Sequence, residues 1–317
     1  MEISGTTRLI GLIGWPVAHS FSPRMHNAAA RALGLDLAYV PLPVRPGAVA
    51  AALRGLSALN FLGANVTIPH KEAVIAYLDE VTPAAQAIGA VNTITIGASA
   101  FAQGEESPQT IANDGDTRPQ ITSPTLQSPI SNLQSLRGDN TDWQGFLADL
   151  AGRGVPVTGR TCVILGAGGG ARAVAYALAQ EGGQVKISAR RPAQAQALIS
   201  SMAPHLPEGA LSARPWTARA QVESRALIVN TTPVGMHPDE DESPWPEGAP
   251  FPKDGFVYDL IYNPAETRLL AQAAAAGCRT ANGLGMLLHQ GALAFEVWTG
   301  IRPEIEIMKS TMIGWER

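Results

Sequence analysis

Residues 160–191 read RTCVILGAGGGARAVAYALAQEGGQVKISARR and have the order of a strand, a glycine-rich turn, a helix and a second strand. The apolar run Thr161 to Leu165 is typical of a buried parallel strand, and residues 166–171 fit the turn pattern G-x-G-x-x-A. The helix should reach about Gln180, end at Gly182-Gly183 and lead into a strand at 184–189. This order predicts a dinucleotide-binding βαβ unit. The alternative is a purely structural one, a tight strand-to-helix turn that binds no ligand.

Each position in the turn has a physical reason. Gly166 permits the tight turn, Gly168 lets backbone amides approach a pyrophosphate, and Ala171 lets the helix pack closely on the sheet. The pyrophosphate would lie at the positive N-terminus of the helix. We therefore expect the cofactor to be held by the whole run Gly166, Ala167, Gly168, Gly169, Gly170 and Ala171.

The end of the second strand indicates which dinucleotide binds. An NAD site places Asp or Glu about twenty residues after the turn, for the ribose hydroxyls. Here that place holds Ala189, Arg190 and Arg191, with no acid beside them. Two guanidinium groups suit a 2′-phosphate, so NADP is favoured over NAD; the alternative is a pair of solvated surface arginines.

Composition excludes several classes of protein. The formal net charge of -4 argues against a nucleic-acid or anionic-membrane partner. The two cysteines, Cys162 and Cys278, form neither a disulfide framework nor a metal-ligand spacing, and the six histidines include no ligand pair, so we expect no metal site. Without a membrane-span or signal pattern, the chain should be soluble and cytoplasmic. We expect a monomer or a homodimer with a small-molecule substrate.

At 317 residues the chain should form two α/β domains. Residues 8–91 alternate short apolar strands with helical segments, whereas residues 97–137 are polar and aperiodic and predict an exposed, flexible insertion. We expect residues 1–142 and 283–317 to form a substrate-binding catalytic domain, with residues 143–282 forming the Rossmann-type NADP domain. The apolar helix near the C-terminus would then return to the first domain.

Polar residues in the first half of the chain form candidate binding groups. Ser22 resembles the N-cap of a helix that ends at Gly34, which leaves Ser20 free to help receive a carboxylate at the positive helix end. Asn65 and Thr67 share one face of a strand, and Lys71 follows at the predicted start of the next helix. A lysine there is equally well explained as a solvated surface charge.

Two further polar segments follow, AVNT with Asn92 and NTD at 140–142. The NTD triplet can also be explained structurally, as a cluster of helix N-cap residues.

Taken together, these motifs resemble the shikimate dehydrogenase family. The matching blocks are HSFSP at 19–23, NVTIPHK at 65–71, AVNT at 90–93, GDNTD at 138–142, GAGGGARA at 166–173, NTTPVGM at 230–236, YDLIY at 258–262 and NGLGMLLHQGALAFEVWTG at 282–300. The joint occurrence of eight blocks is far more specific than any one of them. The resemblance implies NADPH-dependent, reversible reduction of 3-dehydroshikimate to shikimate, a step of chorismate and aromatic amino acid biosynthesis.

The resemblance also implies roles for matching residues. Ser20 and Ser22 would hold the substrate carboxylate and Tyr262 would close over the substrate. The substrate's hydroxyls and reacting oxygen would be held by Asn65, Thr67, Lys71, Asn92, Asp142 and Gln290. Gly283 and Met286 would lie beside the nicotinamide, with Thr231 in the cofactor-binding NTTPVGM block. Because negative charge grows on the reduced carbonyl oxygen, a proton donor must reach it, and we assign Lys71 and Asp142 as the catalytic pair.

The sequence departs from the family pattern at three places. Ala189-Arg190-Arg191 replaces the family's N-R-T, Trp143 replaces the glycine after NTD, and the insertion at 97–137 is unusually long. Three rival functions remain at this point: a dehydrogenase that uses quinate as well as shikimate, a methylenetetrahydrofolate-type dehydrogenase, and a catalytically silent NADP-sensing regulator. Quinate users in the family tend to carry Thr at the position of Ser22, which favours shikimate here.

Overall fold

The computed structural model describes residues 2–97 and 134–312. Most of the predicted insertion, residues 98–133, lies outside the described residues. The predicted C-terminal limit of that insertion was wrong, because residues up to Arg137 were assigned to it and a strand begins at Leu136. The polar sequence SLRGD conceals this strand, since only Leu136 and Gly138 point to the interior.

The first sheet has six strands in the spatial order β2-β1-β3-β5-β6-β4. They are β1 (Arg8–Gly14), β2 (Leu37–Pro43), β3 (Gly63–Val66), β4 (Glu80–Val81), β5 (Thr93–Ile96) and β6 (Leu136–Asp139). β1 pairs in parallel with β2 and β3, whereas β5 runs antiparallel to both β3 and β6. The sheet is therefore mixed.

Helices cover both faces of this sheet. They are α1 (Ser22–Ala32), α2 (Val49–Ala58) and α3 (Pro83–Ile88), with a short 3₁₀ helix at Ala73–Tyr77. Met25 and Ala29 of α1 pack with Ile10 and Leu12 on one face. Leu53 and Leu56 of α2 pack with Ile13 on the other.

The second sheet is fully parallel, with the spatial order β12-β11-β10-β7-β8-β9. Its strands are β7 (Thr161–Leu165), β8 (Gln184–Ser188), β9 (Leu211–Arg214), β10 (Leu227–Asn230), β11 (Phe256–Asp259) and β12 (Arg279–Asn282). Counted from β7, this is the 3-2-1-4-5-6 order of the Rossmann fold, so the strand order reverses between β7 and β10. The α/β fold predicted from residues 160–191 is confirmed.

The remaining helices are α4 (Asp142–Gly152), α5 (Gly169–Gln180), α6 (Pro192–Met202), α7 (Arg268–Ala275), α8 (Leu284–Thr299) and α9 (Ile305–Ser310). Helices α4, α5 and α6 cover one face of the second sheet and α7 covers the other. Helix α8 contacts both halves of the molecule, since Met286 packs with the second sheet while Phe295 and Trp298 pack with the first. No helix among the described residues is long and apolar enough to cross a membrane.

Candidate active site

Strand register brings distant polar residues to one edge of the first sheet. Asn65 on β3 is paired with Thr93 on β5, and Thr93 is paired with Asp139 on β6. Because β5 runs antiparallel to its two neighbours, its start lies beside their ends. Asn92 and the triplet at 140–142 therefore meet next to Asn65.

Asn92 is the centre of this polar cluster and is 2% exposed. Its Oδ1 accepts the backbone N–H of Thr141 at 2.8 Å, which fixes the orientation of the amide. Its Nδ2 then faces three acceptors: Asp142 Oδ1 at 2.9 Å, Thr141 Oγ1 at 3.0 Å and Gln290 Oε1 at 3.2 Å. The backbone carbonyl of Asn92 in turn accepts Asn65 Nδ2 at 3.0 Å. Asn92 thus joins Asp142 and Gln290 through its side-chain amide and Asn65 through its backbone carbonyl.

Lys71 and Asp142 form a close ion pair at this cluster. Lys71 Nζ donates to Asp142 Oδ2 at 2.7 Å, and the side chains are 19% and 6% exposed. Lys71 does not begin a helix, as its sequence position had suggested; it lies in a turn ahead of the 3₁₀ helix. An ammonium group has three protons, so two remain for a ligand after the bond to Asp142.

The two serines have different local roles from those predicted. Ser22 is not the N-cap of α1; it is the first helical residue, and the N-cap is Phe21. The hydroxyl oxygen that accepts a first-turn amide belongs to Ser20, which receives the Ser22 N–H at 3.3 Å. The Ser22 side chain instead hydrogen-bonds Tyr39, whose hydroxyl donates to Asn65 Oδ1 at 2.8 Å. Burial raises the pKa of Tyr39, so the phenol keeps its proton.

Tyr262 and Thr67 border the same region. The Tyr262 ring packs edge-on against Phe21, with 5.7 Å between centroids, and so lies beside the serines. Burial raises the pKa of Tyr262. Thr67 is half-buried one residue beyond β3, and its methyl group lies so close to Gly14 that a Cβ there would come within 2.4 Å.

The glycine turn after β7 fits a dinucleotide pyrophosphate. Gly166 has φ +115°, a conformation that L side chains rarely adopt, and a Cβ there would lie 2.5 Å from Thr231 Oγ1. The N-cap of helix α5 is Gly168, which has no side chain to cap the helix, so the first amides of α5 are available to an anion. A Cβ on Gly169 would lie 3.9 Å from the Lys71 side chain, so the turn faces Lys71. Ala171 is fully buried, as close helix packing requires.

Arg190 and Arg191 are exposed directly after β8, while Ala189 is buried. The carboxyl end of β8 lies beside that of β7, because Leu165 is paired with Ser188. Two guanidinium groups at this edge suit the 2′-phosphate of NADP, in keeping with the glycine turn.

A buried carboxylate organises two loops on the other side of the position between β7 and β10 where the strand order reverses. Asp259, at the end of β11, accepts Asn230 Nδ2 at 2.9 Å, the Ile261 N–H at 3.0 Å and Thr267 Oγ1 at 2.8 Å. Burial raises the pKa of Asp259 to about 6, against the opposing effect of these three donors. Asp259 thereby ties the loop that contains Thr231 to the loop that contains Tyr262.

Helix α8 brings the last predicted residues to the cluster. Gly283 packs on the backbone of Leu260, where a Cβ would come within 2.1 Å of the carbonyl oxygen. Met286 and Gln290 follow on one helix face, both 8% exposed. A Cβ on Gly145 of α4 would meet the Gln290 backbone nitrogen at 2.7 Å, so glycine is needed where the two helices touch.

Three residues of this site were missed in the sequence. Tyr39 and Thr93 hydrogen-bond Asn65, and Asp259 holds two loops. Tyr39 lies in an apolar strand where a tyrosine usually indicates core packing. Asp259 was visible in the YDLIY block as an acid inside an apolar run, a pattern that predicts a buried and hydrogen-bonded carboxylate.

The chain matches two family models. The model for the shikimate dehydrogenase substrate binding domain matches residues 12–94. The model for the shikimate 5'-dehydrogenase C-terminal domain matches residues 283–313.

Full-length relatives and solved structures agree with these models. A shikimate dehydrogenase (NADP(+)) of Salinibacter ruber is 45% identical over 304 residues, covering 94% of each chain. A crystal structure of a shikimate dehydrogenase in complex with NADP+ superimposes with a TM-score of 0.83 at 38% identity, covering 100% of this chain and 98% of that one. The Thermus thermophilus shikimate 5-dehydrogenase in complex with NADP(H) and shikimate gives a TM-score of 0.76 at 36% identity, covering 96% and 98%.

Proposed function

The chain belongs to the shikimate dehydrogenase family, and from that membership we propose that Lys71 and Asp142 carry out the proton transfer of its reaction. The protein is an NADP-dependent oxidoreductase acting on a CH–OH group, and it interconverts shikimate and 3-dehydroshikimate. The observation that carries the proposal is the 2.7 Å contact between Lys71 and a carboxylate whose second oxygen is held by Asn92.

The proton transfer follows from the charge that develops during reduction. NADPH, when bound, supplies hydride to the ketone carbon. Lys71 stabilises the negative charge that grows on the ketone oxygen and donates a proton to it. In the reverse direction Lys71 takes the proton from the shikimate hydroxyl. Asp142 holds the ammonium group of Lys71 in place. Asn92 donates a hydrogen bond to Asp142, and the Thr141 N–H fixes the orientation of the Asn92 side chain.

The remaining polar groups would bind the substrate. Ser20 and Ser22 lie at the start of α1, where the positive helix end favours the carboxylate of shikimate. Tyr262 packs beside them through Phe21, which supports its role of closing over the ring. The hydroxyl groups of the substrate would be met by Asn65, Thr67, Asn92 and Gln290.

The cofactor would bind along the carboxyl edge of the second sheet. The free first turn of α5 supports a pyrophosphate at Gly166, Ala167, Gly168, Gly169, Gly170 and Ala171. Ala189, Arg190 and Arg191 would surround the adenosine 2′-phosphate. Thr231, Gly283 and Met286 would line the nicotinamide half.

We propose the domain division 1–142 with 283–317 for the substrate and 143–282 for NADP. It is supported by the two separate sheets and by the packing of α8 and α9 with residues of the first. We also propose that the protein acts in the cytoplasm as a monomer or a homodimer, without a nucleic-acid partner; the net charge of -4 supports the last point.

Lys71→Ala tests the proposal directly. The variant should reduce NADP with shikimate at least about a hundredfold more slowly, with a smaller change in KM, because a positioned acid-base group contributes on that order. Lys186→Ala is a matched control, since Lys186 is 23% exposed and ion-paired with Glu223 at 3.1 Å. Near-normal turnover of Lys71→Ala would remove Lys71 from the chemistry.

A further inference from the structure

Helix α8 begins without a side-chain cap at its own N-cap residue, Gly283. The first amides of a helix need partners from elsewhere. Asn282 Oδ1 accepts the Leu284 N–H at 3.1 Å, and the Met286 N–H bonds the hydroxyl of Tyr258 on β11. A strand of the second sheet therefore caps the helix that carries Met286 and Gln290.

Tyr258 is held in place for this role. It is fully buried, and its hydroxyl donates to Asp149 Oδ2 at 2.7 Å. Its ring packs edge-on against Phe146 with 5.1 Å between centroids. Burial and then the neighbouring Asp149 carboxylate raise the pKa of Tyr258 well above its usual value. The phenol consequently keeps the proton that it donates to Asp149, and its lone pairs remain available to the Met286 amide.

Asp149 completes the junction from helix α4. Arg153 Nε lies 3.0 Å from both carboxylate oxygens of Asp149. A Cβ on Gly285 would lie 2.0 Å from Asp149 Oδ1, so only glycine lets the first turn of α8 approach this closely. A carboxylate beside a helix N-terminus is also favoured by the helix dipole.

We propose that Tyr258 is a positioning residue that fixes the start of α8 relative to the second sheet, and with it Met286 at the nicotinamide. The inference rests on the proposed function, which puts Met286 beside the nicotinamide. Met286 is itself the residue whose amide Tyr258 binds, so loss of the hydroxyl acts first at this point of the cofactor site. The adenosine end of the cofactor, at Arg190 and Arg191, follows β8, which β10 and β7 separate from β11 in the sheet.

The test is Tyr258→Phe, which keeps the ring packing and removes the hydroxyl alone. We expect the Kd for NADPH to rise about tenfold, the usual worth of one helix-capping hydrogen bond. The Kd for adenosine 2′,5′-bisphosphate, which lacks the nicotinamide half, should not change. The kcat for shikimate oxidation should fall several-fold. A purely structural role for Tyr258 would weaken both ligands together or neither.

Two further variants separate the outcomes. Thr161→Val is the control. It removes a hydroxyl at the start of β7 in the same sheet, one that donates to Glu223 at 2.6 Å, and it should leave the affinities for NADPH and adenosine 2′,5′-bisphosphate unchanged. Met286→Ala tests the nicotinamide contact itself. If Met286→Ala weakens NADPH selectively and Tyr258→Phe does not, the positioning role is wrong and the site assignment stands. If neither variant weakens NADPH selectively, Met286 does not lie at the nicotinamide, and the positioning role of Tyr258 is overturned as well.

Discussion

Replacing Asp142 with asparagine should lower turnover about tenfold to a hundredfold, because both neighbours of this carboxylate are hydrogen-bond donors. Lys71 donates to one oxygen at 2.7 Å and Asn92 donates to the other at 2.9 Å. The side-chain amide of Asn92 cannot flip to compensate, since the Thr141 N–H donates to its oxygen at 2.8 Å. An asparagine at 142 has one acceptor oxygen, so its NH₂ group must face one of the two donors.

The size of the effect follows from that lost contact. A hydrogen bond to a charged group contributes roughly 1.5–3 kcal/mol, and about 1.4 kcal/mol corresponds to a tenfold change in rate. If the asparagine oxygen stays with Asn92, Lys71 loses its anchor and the loss falls on kcat. If the oxygen turns to Lys71, the Asn92 amide loses the nearest of its three acceptors and substrate binding suffers as well.

Steady-state oxidation of shikimate by NADP, followed by the absorbance of NADPH, measures both parameters, and thermal unfolding monitors the fold. Asp139→Asn is the control in the same segment, because Thr82 Oγ1 and the Asn140 N–H both bond its Oδ1 and an asparagine keeps both contacts. Asn92→Asp combined with Asp142→Asn should recover part of the lost turnover by restoring complementary partners. Asp142→Asn turnover equal to that of Asp139→Asn would refute this reasoning.

Three further outcomes are expected. Replacing Arg190 and Arg191 with alanine should lower kcat/KM for NADP at least about tenfold and leave the value for NAD unchanged; equal efficiency of the parent enzyme with both cofactors would contradict the assignment. Shikimate should be strongly preferred to quinate, whose tetrahedral carbon carries an extra hydroxyl beside Ser20 and Ser22, and comparable specificity constants would instead indicate a dual-substrate enzyme. His26 has a pKa lowered by burial from 6.5 to about 3, so it is neutral when folded, and the stability it contributes above pH 6.5 is lost as the pH falls. In denaturant unfolding, lowering the pH from 7 to 5 should cost the parent protein roughly 2 kcal/mol more stability than it costs the His26→Phe variant.

The Rossmann unit was predictable because its signal is local. The boundaries of β7 were predicted to the residue, and Gly182 has the positive φ expected of a residue after a helix end. Strand, turn and helix follow one another within one short segment, so hydrophobic pattern and glycine chemistry decide the structure there. The choice of NADP over NAD depended on two side chains in the same segment.

The first sheet was less predictable because its pairing is not local. Strand β6 has the sequence LRGD, too short and too polar for a periodic signal, and its partner β5 lies on the other side of the long insertion. The helix start near Ser22 was misplaced by one residue for a related reason. Ser22 is buried against Tyr39, and this tertiary contact takes precedence over the capping preference of serine.

The same reasoning explains why the chemical groups were easier to find in the sequence than the residues that orient them. Lys71, Asn92 and Asp142 lie in polar segments at strand and helix ends, inside blocks that resemble those of the shikimate dehydrogenase family. Tyr258 and Asp149 lie within an apolar strand and an amphipathic helix, and they meet across 109 residues of chain. Sequence pattern gives each of them an ordinary packing role. Only the three-dimensional contact of a phenol, a carboxylate and the first turn of α8 leads to the positioning role proposed for Tyr258.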